Sequence, residues 1–178
     1  MPKKFNYEYV GDVTFTENKI SATDPCYDAD VSCRMDNIKI VPGTYECYIQ
    51  RWDCGEWGDR VARVMIMLKG DALTKQKLGS TFTSRSYRMI GTIGVDSGTA
   101  GFFQNKPDFT EKEYEKYVHK AMFPSNDSNT WKKCVMYAQP KKNACGFFAS
   151  SGYGDGVYTV HAIRNDKRKI TAVEIRFM

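Results

Sequence analysis

The stretch Ser150-Ser-Gly-Tyr-Gly-Asp-Gly-Val-Tyr158 decides how the rest of the chain is read. Gly152, Gly154 and Gly156 alternate with Tyr153 and Asp155, and a strand pattern begins directly after them. Glycine has no Cβ, so this backbone can take positive φ and approach a neighbour or ligand closely. Asp155-Gly156 is a tight-turn dipeptide that also displays a carboxylate. The stretch is first a structural corner from which a strand departs. Val157–Ile163 then alternates, Asn165–Arg168 turns, and Lys169–Phe177 returns. Thr171, Val173, Ile175 and Phe177 share one face of the last strand, and Ala172, Glu174 and Arg176 the other. A hairpin closes the chain.

The same period of two recurs upstream. In Thr44–Trp52, Tyr45, Cys47 and Ile49 oppose Glu46, Tyr48 and Gln50. In Arg60–Lys69, Ala62, Val64, Ile66 and Leu68 oppose Arg63, Met65 and Met67, so residues 44–69 read as an antiparallel hairpin with one well-buried face. Residues 5–15 read as one strand interrupted at Gly11 or as a short hairpin around Gly11-Asp12. Shorter strands are expected at Lys19–Thr23, Ile38–Val41, Cys134–Ala138 and Cys145–Ala149, and one around Ile93 and Val95 that stops at Asp96-Ser97-Gly98. The single clear helix opens on a capping box, Thr110 to Glu113, and carries Tyr114, Tyr117, Val118, Ala121 and Met122 on one face before Pro124 ends it. These signals predict an α+β fold dominated by strands: a twisted antiparallel sheet or sandwich with one main helix at about 110–122. Residues 1–178 are expected to form a single domain, with a basic mobile loop at about 70–88 and a lysine-rich helical and loop insertion at about 105–145.

Composition narrows the class. With 42% hydrophobic and 13% aromatic residues the chain is globular rather than disordered. No apolar run approaches the roughly 20 residues that span a bilayer. The opening Met1–Asn6 lacks the apolar segment of a secretory signal, and a cytoplasmic location is expected. Six cysteines, at 26, 33, 47, 54, 134 and 145, include no Cys-x-x-Cys, and His119 and His161 have no zinc-ligand spacing. Reduced, mostly buried thiols are expected, with no metal and no cofactor. The net charge of +5 is uneven: residues 1–59 hold 6 basic and 11 acidic side chains, and residues 60–178 hold 20 and 10. Such asymmetry suits an electrostatic docking face for nucleic acid or an acidic protein.

Two sets of residues are candidates for function. Lys75, Lys77, Arg85 and Arg88, then Lys132, Lys133, Lys141 and Lys142, lie in polar stretches near the aromatic Tyr87 and Trp131. They would contact phosphates or an acidic surface. Asp24, Asp96 and Asp155 each stand where a strand ends at a turn, and grouped carboxylates can hold a metal or share acid–base work. Asp24 precedes Pro25, which holds it extended, and the plain reading of each aspartate is a turn cap. Asp28 and Asp30 lack the glycine and distal glutamate of a calcium loop. Gly94, Gly98 and Gly101 lack the Lys-Ser/Thr end of a P-loop, and no Gly-x-Ser-x-Gly occurs. His119 and His161 read as helix-flank and strand packing.

In order and spacing, Asp24-Pro25-Cys26-Tyr27, Pro42-Gly43, Glu56-Trp57-Gly58, the run from Gly94-Val-Asp-Ser-Gly98 to Phe102, and Ser151-Gly-Tyr-Gly-Asp-Gly156 resemble a domain-of-unknown-function family of bacteria and their phages. The resemblance covers most of the chain and implies one β-rich domain, with no activity to carry over. Gln104 stands where such members commonly have aspartate, and the lysine-rich residues 105–145 look particular to this chain. The expectation is a non-catalytic binding or inhibitor protein, encoded by a phage or mobile element, acting on a protein or nucleoprotein partner such as a host-defence nuclease. The alternatives are a carboxylate-based hydrolase, with or without a metal, and a domain that sequesters a small anionic ligand or nucleotide in its glycine loops.

Overall fold

The structure, a computed structural model, describes residues 3–27, 31–71, 87–105, 110–122 and 133–178. In chain order the strands are β1 (Lys3–Phe15), β2 (Lys19–Thr23), β3 (Arg34–Lys39), β4 (Gly43–Asp53), β5 (Asp59–Leu68) and β6 (Tyr87–Val95). They continue with β7 (Thr99–Gln104), β8 (Cys134–Gln139), β9 (Ala144–Ser150), β10 (Gly156–Arg164) and β11 (Ile170–Arg176). Six form one antiparallel sheet in the order β1-β4-β5-β11-β10-β6, and five form a second in the order β3-β2-β7-β9-β8. The inner faces meet in a shared core: Phe15, Tyr45, Ile49, Val64, Ile66 and Ile175 from the first sheet against Ile20, Ala22, Phe102 and Phe147 from the second. The fold is the strand-dominated α+β sandwich that the alternating pattern predicts.

Local sequence explains where the strands bend. Residues 3–15 are one strand, not a hairpin: Tyr9 pairs with Tyr48 but Gly11 with Cys47, so Val10 is an extra residue in the ladder. Gly11, at φ 151°, absorbs that bulge. The strand after Asp30 begins earlier than expected, at Arg34 rather than Ile38.

Burial corrects the expectation of a one-faced hairpin at 44–69. The inner residues Val64 and Ile66 are fully buried as expected, but Met65 and Met67 on the opposite face are buried too. Met67 packs with Ile163 and Ala172 in a small cluster outside the main core. On β11 the outward-facing Glu174 is fully buried.

The second sheet is covered on both faces. Its outer face receives the helix α1, a continuous run of Glu111–Glu113, Tyr114–His119 and Lys120–Met122. Val118 and Met122 pack there against Phe103, Tyr137, Ala144 and Phe148. The capping box forms as expected: Glu113 N donates to Thr110 Oγ1 at 3.3 Å and Thr110 N to Glu113 Oε2 at 3.1 Å. The middle of the helix is wider than an α-helix, with Lys120 N donating to Glu115 O five residues back. An α-helical stripe does not register such a turn, so the expected regular helix is corrected.

Tyr87 and Arg88, placed at the end of the basic loop by sequence, belong to β6. Residues 72–86, with Lys75, Lys77 and Arg85, lie outside the described residues, as do Asp28, Asp30, Trp131 and Lys132. No described helix is long and apolar enough to cross a membrane.

Candidate functional site

The glycine stretch Ser150–Tyr158, the turn between β6 and β7, and the segment after β2 meet at one end of the sandwich. Asp24 leaves β2 and is fully buried. Its carboxylate is saturated by four donors. Oδ2 accepts from Asp96 N at 2.9 Å and Ser97 N at 2.8 Å, and Oδ1 from Ser97 Oγ at 2.6 Å and Cys26 N at 2.9 Å. Two oxygens offer about four acceptor positions, and all are in use. Pro25 supplies no competing N–H and fixes the approach of the chain. Around this clasp, Thr99 Oγ1 lies 2.8 Å from Ser97 Oγ, and Asp24 N donates to Cys33 O at 3.0 Å.

The glycines of the two motifs fit the clasp in different ways. Gly98 takes φ 67° at the tip of the turn, a region that costs other residues roughly 1–2 kcal/mol. A Cβ on Gly94 would sit 3.2 Å from Ser32 O and 3.4 Å from Cys33 Sγ, so the missing side chain lets the segment before β3 lie across β6. Gly98 O then accepts from Ser151 N at 2.9 Å, tying the second motif to the first. The second motif closes on itself: Gly154 N donates to Ser151 O at 2.8 Å, and Ser151 Oγ and Tyr158 Oη each donate to Gly154 O at 2.7 Å. The turn therefore falls at Ser151–Gly154, with Gly152-Tyr153 at its centre, three residues earlier than the Asp155-Gly156 dipeptide suggests. The Gly154 N–H is taken up inside it, where a phosphate cradle would need it free.

The three aspartates do not share one environment. Asp24 is buried and saturated. Asp96 is exposed and accepts a hydrogen bond from the Tyr27 hydroxyl, whose pKa that bond pushes up to about 12. Asp155 is exposed too; Gly156 pairs with Val95, so Asp155 and Asp96 leave the ends of neighbouring strands. Among the described residues no group of three His, Cys, Asp or Glu side chains could hold a metal. None of the six cysteines is joined in a disulfide; only Cys47 is buried, which corrects the expectation of mostly buried thiols, and burial pushes the half-buried Cys145 thiol up to about 11.

Beside this clasp lies an aromatic rim that sequence reading did not assemble. Tyr153, at the tip of the glycine turn, is 58% exposed, and Trp57, in the loop joining β4 to β5, is 68% exposed. The Tyr153 hydroxyl reaches the loop that carries Trp57: a hydrogen bond with the Cys54 thiol raises its pKa, and the positive charge of Arg60 works against that rise. Arg60 Nε donates to Trp57 O at 2.8 Å. The C-terminal residues brace the rim from beneath, with Phe177 N donating to Ala62 O at 2.8 Å and a Cβ on Gly152 only 3.1 Å from Phe177 Cβ. The signal was present as Glu56-Trp57-Gly58 and Gly152-Tyr153-Gly154, two aromatics each flanked by glycine. What sequence could not supply was that these two turns are neighbours.

The basic residues that the structure describes are dispersed. Lys133 Nζ is 3.7 Å from Asp59, and Lys142 Nζ 3.1 Å from Glu113. Lys141 is exposed beside Lys142, before β9, whose far end, Ser150, leads into the glycine turn. Arg88 is exposed on β6. His119 is an exposed helix residue 3.6 Å from Glu115. His161 lies on the outer face of the six-stranded sheet.

Residues 13–175 match the model of a family described as "Protein of unknown function (DUF4241)". No curated protein and no solved structure matches the chain.

Proposed function

We propose that this chain, which belongs to the DUF4241 family, is a non-catalytic binding protein that engages a protein or nucleoprotein partner through the rim of Trp57, Tyr153 and Arg60. The observation that carries this reading is the contrast at the corner. The carboxylate best placed for chemistry, Asp24, has every acceptor position filled by its own fold, while the largest nearby side chains, Trp57 and Tyr153, face solvent. Trp, Tyr and Arg are the residue types that dominate interface energetics. Turns held by a rigid sandwich are where binding residues collect.

A more specific form of the proposal is an inhibitor encoded by a phage or mobile element and directed at a host-defence nucleoprotein or nuclease. It is supported by the motif resemblance and by the positive charge of residues 60–178. In that form the exposed Arg88 and Lys141 steer the encounter and the aromatic rim supplies the specific contact.

The test compares wild type with a Trp57→Ser, Tyr153→Ser variant as bait, at equal folded concentration, in quantitative capture from a bacterial host lysate with and without nuclease treatment. Both side chains are largely exposed, so the variant should fold normally. At least tenfold depletion of one set of partners from the variant is expected, consistent with the loss of two hot-spot residues worth ~2 kcal/mol each. Identical captured sets would overturn the reading.

A further inference from the structure

Helix α1 packs over β7, β8 and β9 on the outer face of the five-stranded sheet. On the same sheet, over β3, β2 and the end of β7, lies a pocket of about 300 Å³ whose polar lining includes Lys19, Ser21, Arg34, Asp36, Asn37 and Asn105. A bulge in β3 gathers these side chains. Ile20 pairs with Ile38 but Ala22 with Met35, so Ser21 stands against two residues, Asp36 and Asn37, and Asn37 takes φ 59°. Such a bulge re-aims the side chains on either side of it. Met35 and Ile38 stay with the core. Arg34 and Asp36 before the bulge, and Lys39 after it, therefore share the outer face with Lys19 and Ser21.

The charges of this face are not matched within the fold. The Arg34 side chain is only 14% exposed, and its Nε donates to Asp36 Oδ1 at 2.6 Å. The Ser21 hydroxyl donates to the same carboxylate oxygen. Asp36 thus grips the guanidinium from one side, and among the described residues nothing accepts from Arg34 Nη1 or Nη2. Lys19 has no ion pair among the described residues and stands directly opposite Lys39. Like charges in that position repel, and the strand pair is weaker for it. Glu17, also at the pocket, is turned to amides instead: its Oε1 accepts from Asn105 Nδ2 at 2.5 Å and Asn143 Nδ2 at 3.3 Å.

We propose that this pocket binds the phosphate group of a small ligand, with Arg34 Nη1 and Nη2 as the fork that meets two of its oxygens and Lys19 as the second cation. Asp36 is the positioning residue that holds the guanidinium side-on and leaves that fork facing the pocket. Guanidinium N–H donors match the spacing of phosphate oxygens, and a lysine beside them adds a compact point charge. The volume lies at the small end of ligand sites, which suits a phosphate monoester with a short body. The side-chain amides of Asn37 and Asn105 offer hydrogen bonds to hydroxyls on that body. The pocket uses no residue of the Trp57 and Tyr153 rim, so the two assignments stand or fall separately.

The test follows the backbone amide signals of Ser21, Asn37 and Asn105 in the whole chain by NMR, with Gly154 at the rim as internal reference. Inorganic phosphate, ribose 5-phosphate and acetate are added in separate titrations at constant ionic strength. A saturable shift of the pocket signals with at least one of the two phosphates, half-complete at ~0.1–10 mM, is expected while Gly154 stays nearly still. Acetate should bind at least tenfold more weakly. Arg34→Gln should weaken the phosphate response at least tenfold. Lys19→Gln, at an exposed position, should weaken it severalfold and keeps the test decisive if Arg34→Gln does not fold. No saturable shift with either phosphate, an equal response to acetate, or an undiminished response in the folded variants overturns the site.

Discussion

Asp24→Ala is expected to remove a large share of the stability of the fold. The substitution deletes a carboxylate that accepts from Cys26 N, Asp96 N, Ser97 N and Ser97 Oγ, and leaves those four donors without it. Each orphaned buried donor costs about 1–3 kcal/mol. Because the turn carrying Ser97 can partly re-solvate, the expected total is ~4 kcal/mol, against the ~5–15 kcal/mol that holds a typical domain together. Asp24→Asn should fall between the two, since its amide keeps one acceptor oxygen and turns a donor toward donors. Chemical denaturation measures both. A midpoint for Asp24→Ala within experimental error of wild type would show that the turns do not depend on this carboxylate.

Gly101→Ala should be comparably damaging, for a steric reason. A Cβ there would lie 2.0 Å from Phe147 O and 2.4 Å from Phe148 Cα, both backbone atoms of β9. Neither can swing aside as a side chain would, so the β7–β9 ladder must open. A loss of more than ~3 kcal/mol, or failure to accumulate folded protein, is expected. Gly98→Ala is the internal comparison. Nothing lies within 4 Å of its added Cβ, and only the positive φ of 67° is penalised, so roughly 1–2 kcal/mol should be lost. If the two variants lose the same stability, close approach is not what Gly101 provides.

These two cases mark what could be read from the chain directly. Strands followed from period-two burial because one face of each had to enter a common core, as in Tyr45, Cys47 and Ile49. The capping box followed because its two partners are three residues apart. Asp24 read as a turn cap, and it is one. However, the turn it caps most strongly is 72 residues away, at Asp96, and no local rule carries that distance. Trp57 and Tyr153 were ordinary turn aromatics until the fold made their turns neighbours. Glu174 was the least legible of all. Alternation correctly placed it opposite Val173 and Ile175, but an outward-facing glutamate reads as solvated. Its burial depends on Tyr7, Arg63 and Arg176 arriving from β1, β5 and its own strand.

The central claim is that the clasped corner presents Trp57 and Tyr153 to a partner and performs no chemistry. It is tested most directly by a photo-crosslinking amino acid placed at position 153 and, separately, at position 141, beyond the opposite end of β9. The account predicts a discrete crosslinked species from position 153 in bacterial cells that is absent or much weaker from position 141, and that disappears when Trp57→Ser is added. Equal crosslinking from both positions, or a species from position 141 alone, would contradict it and move the interface to the lysine pair.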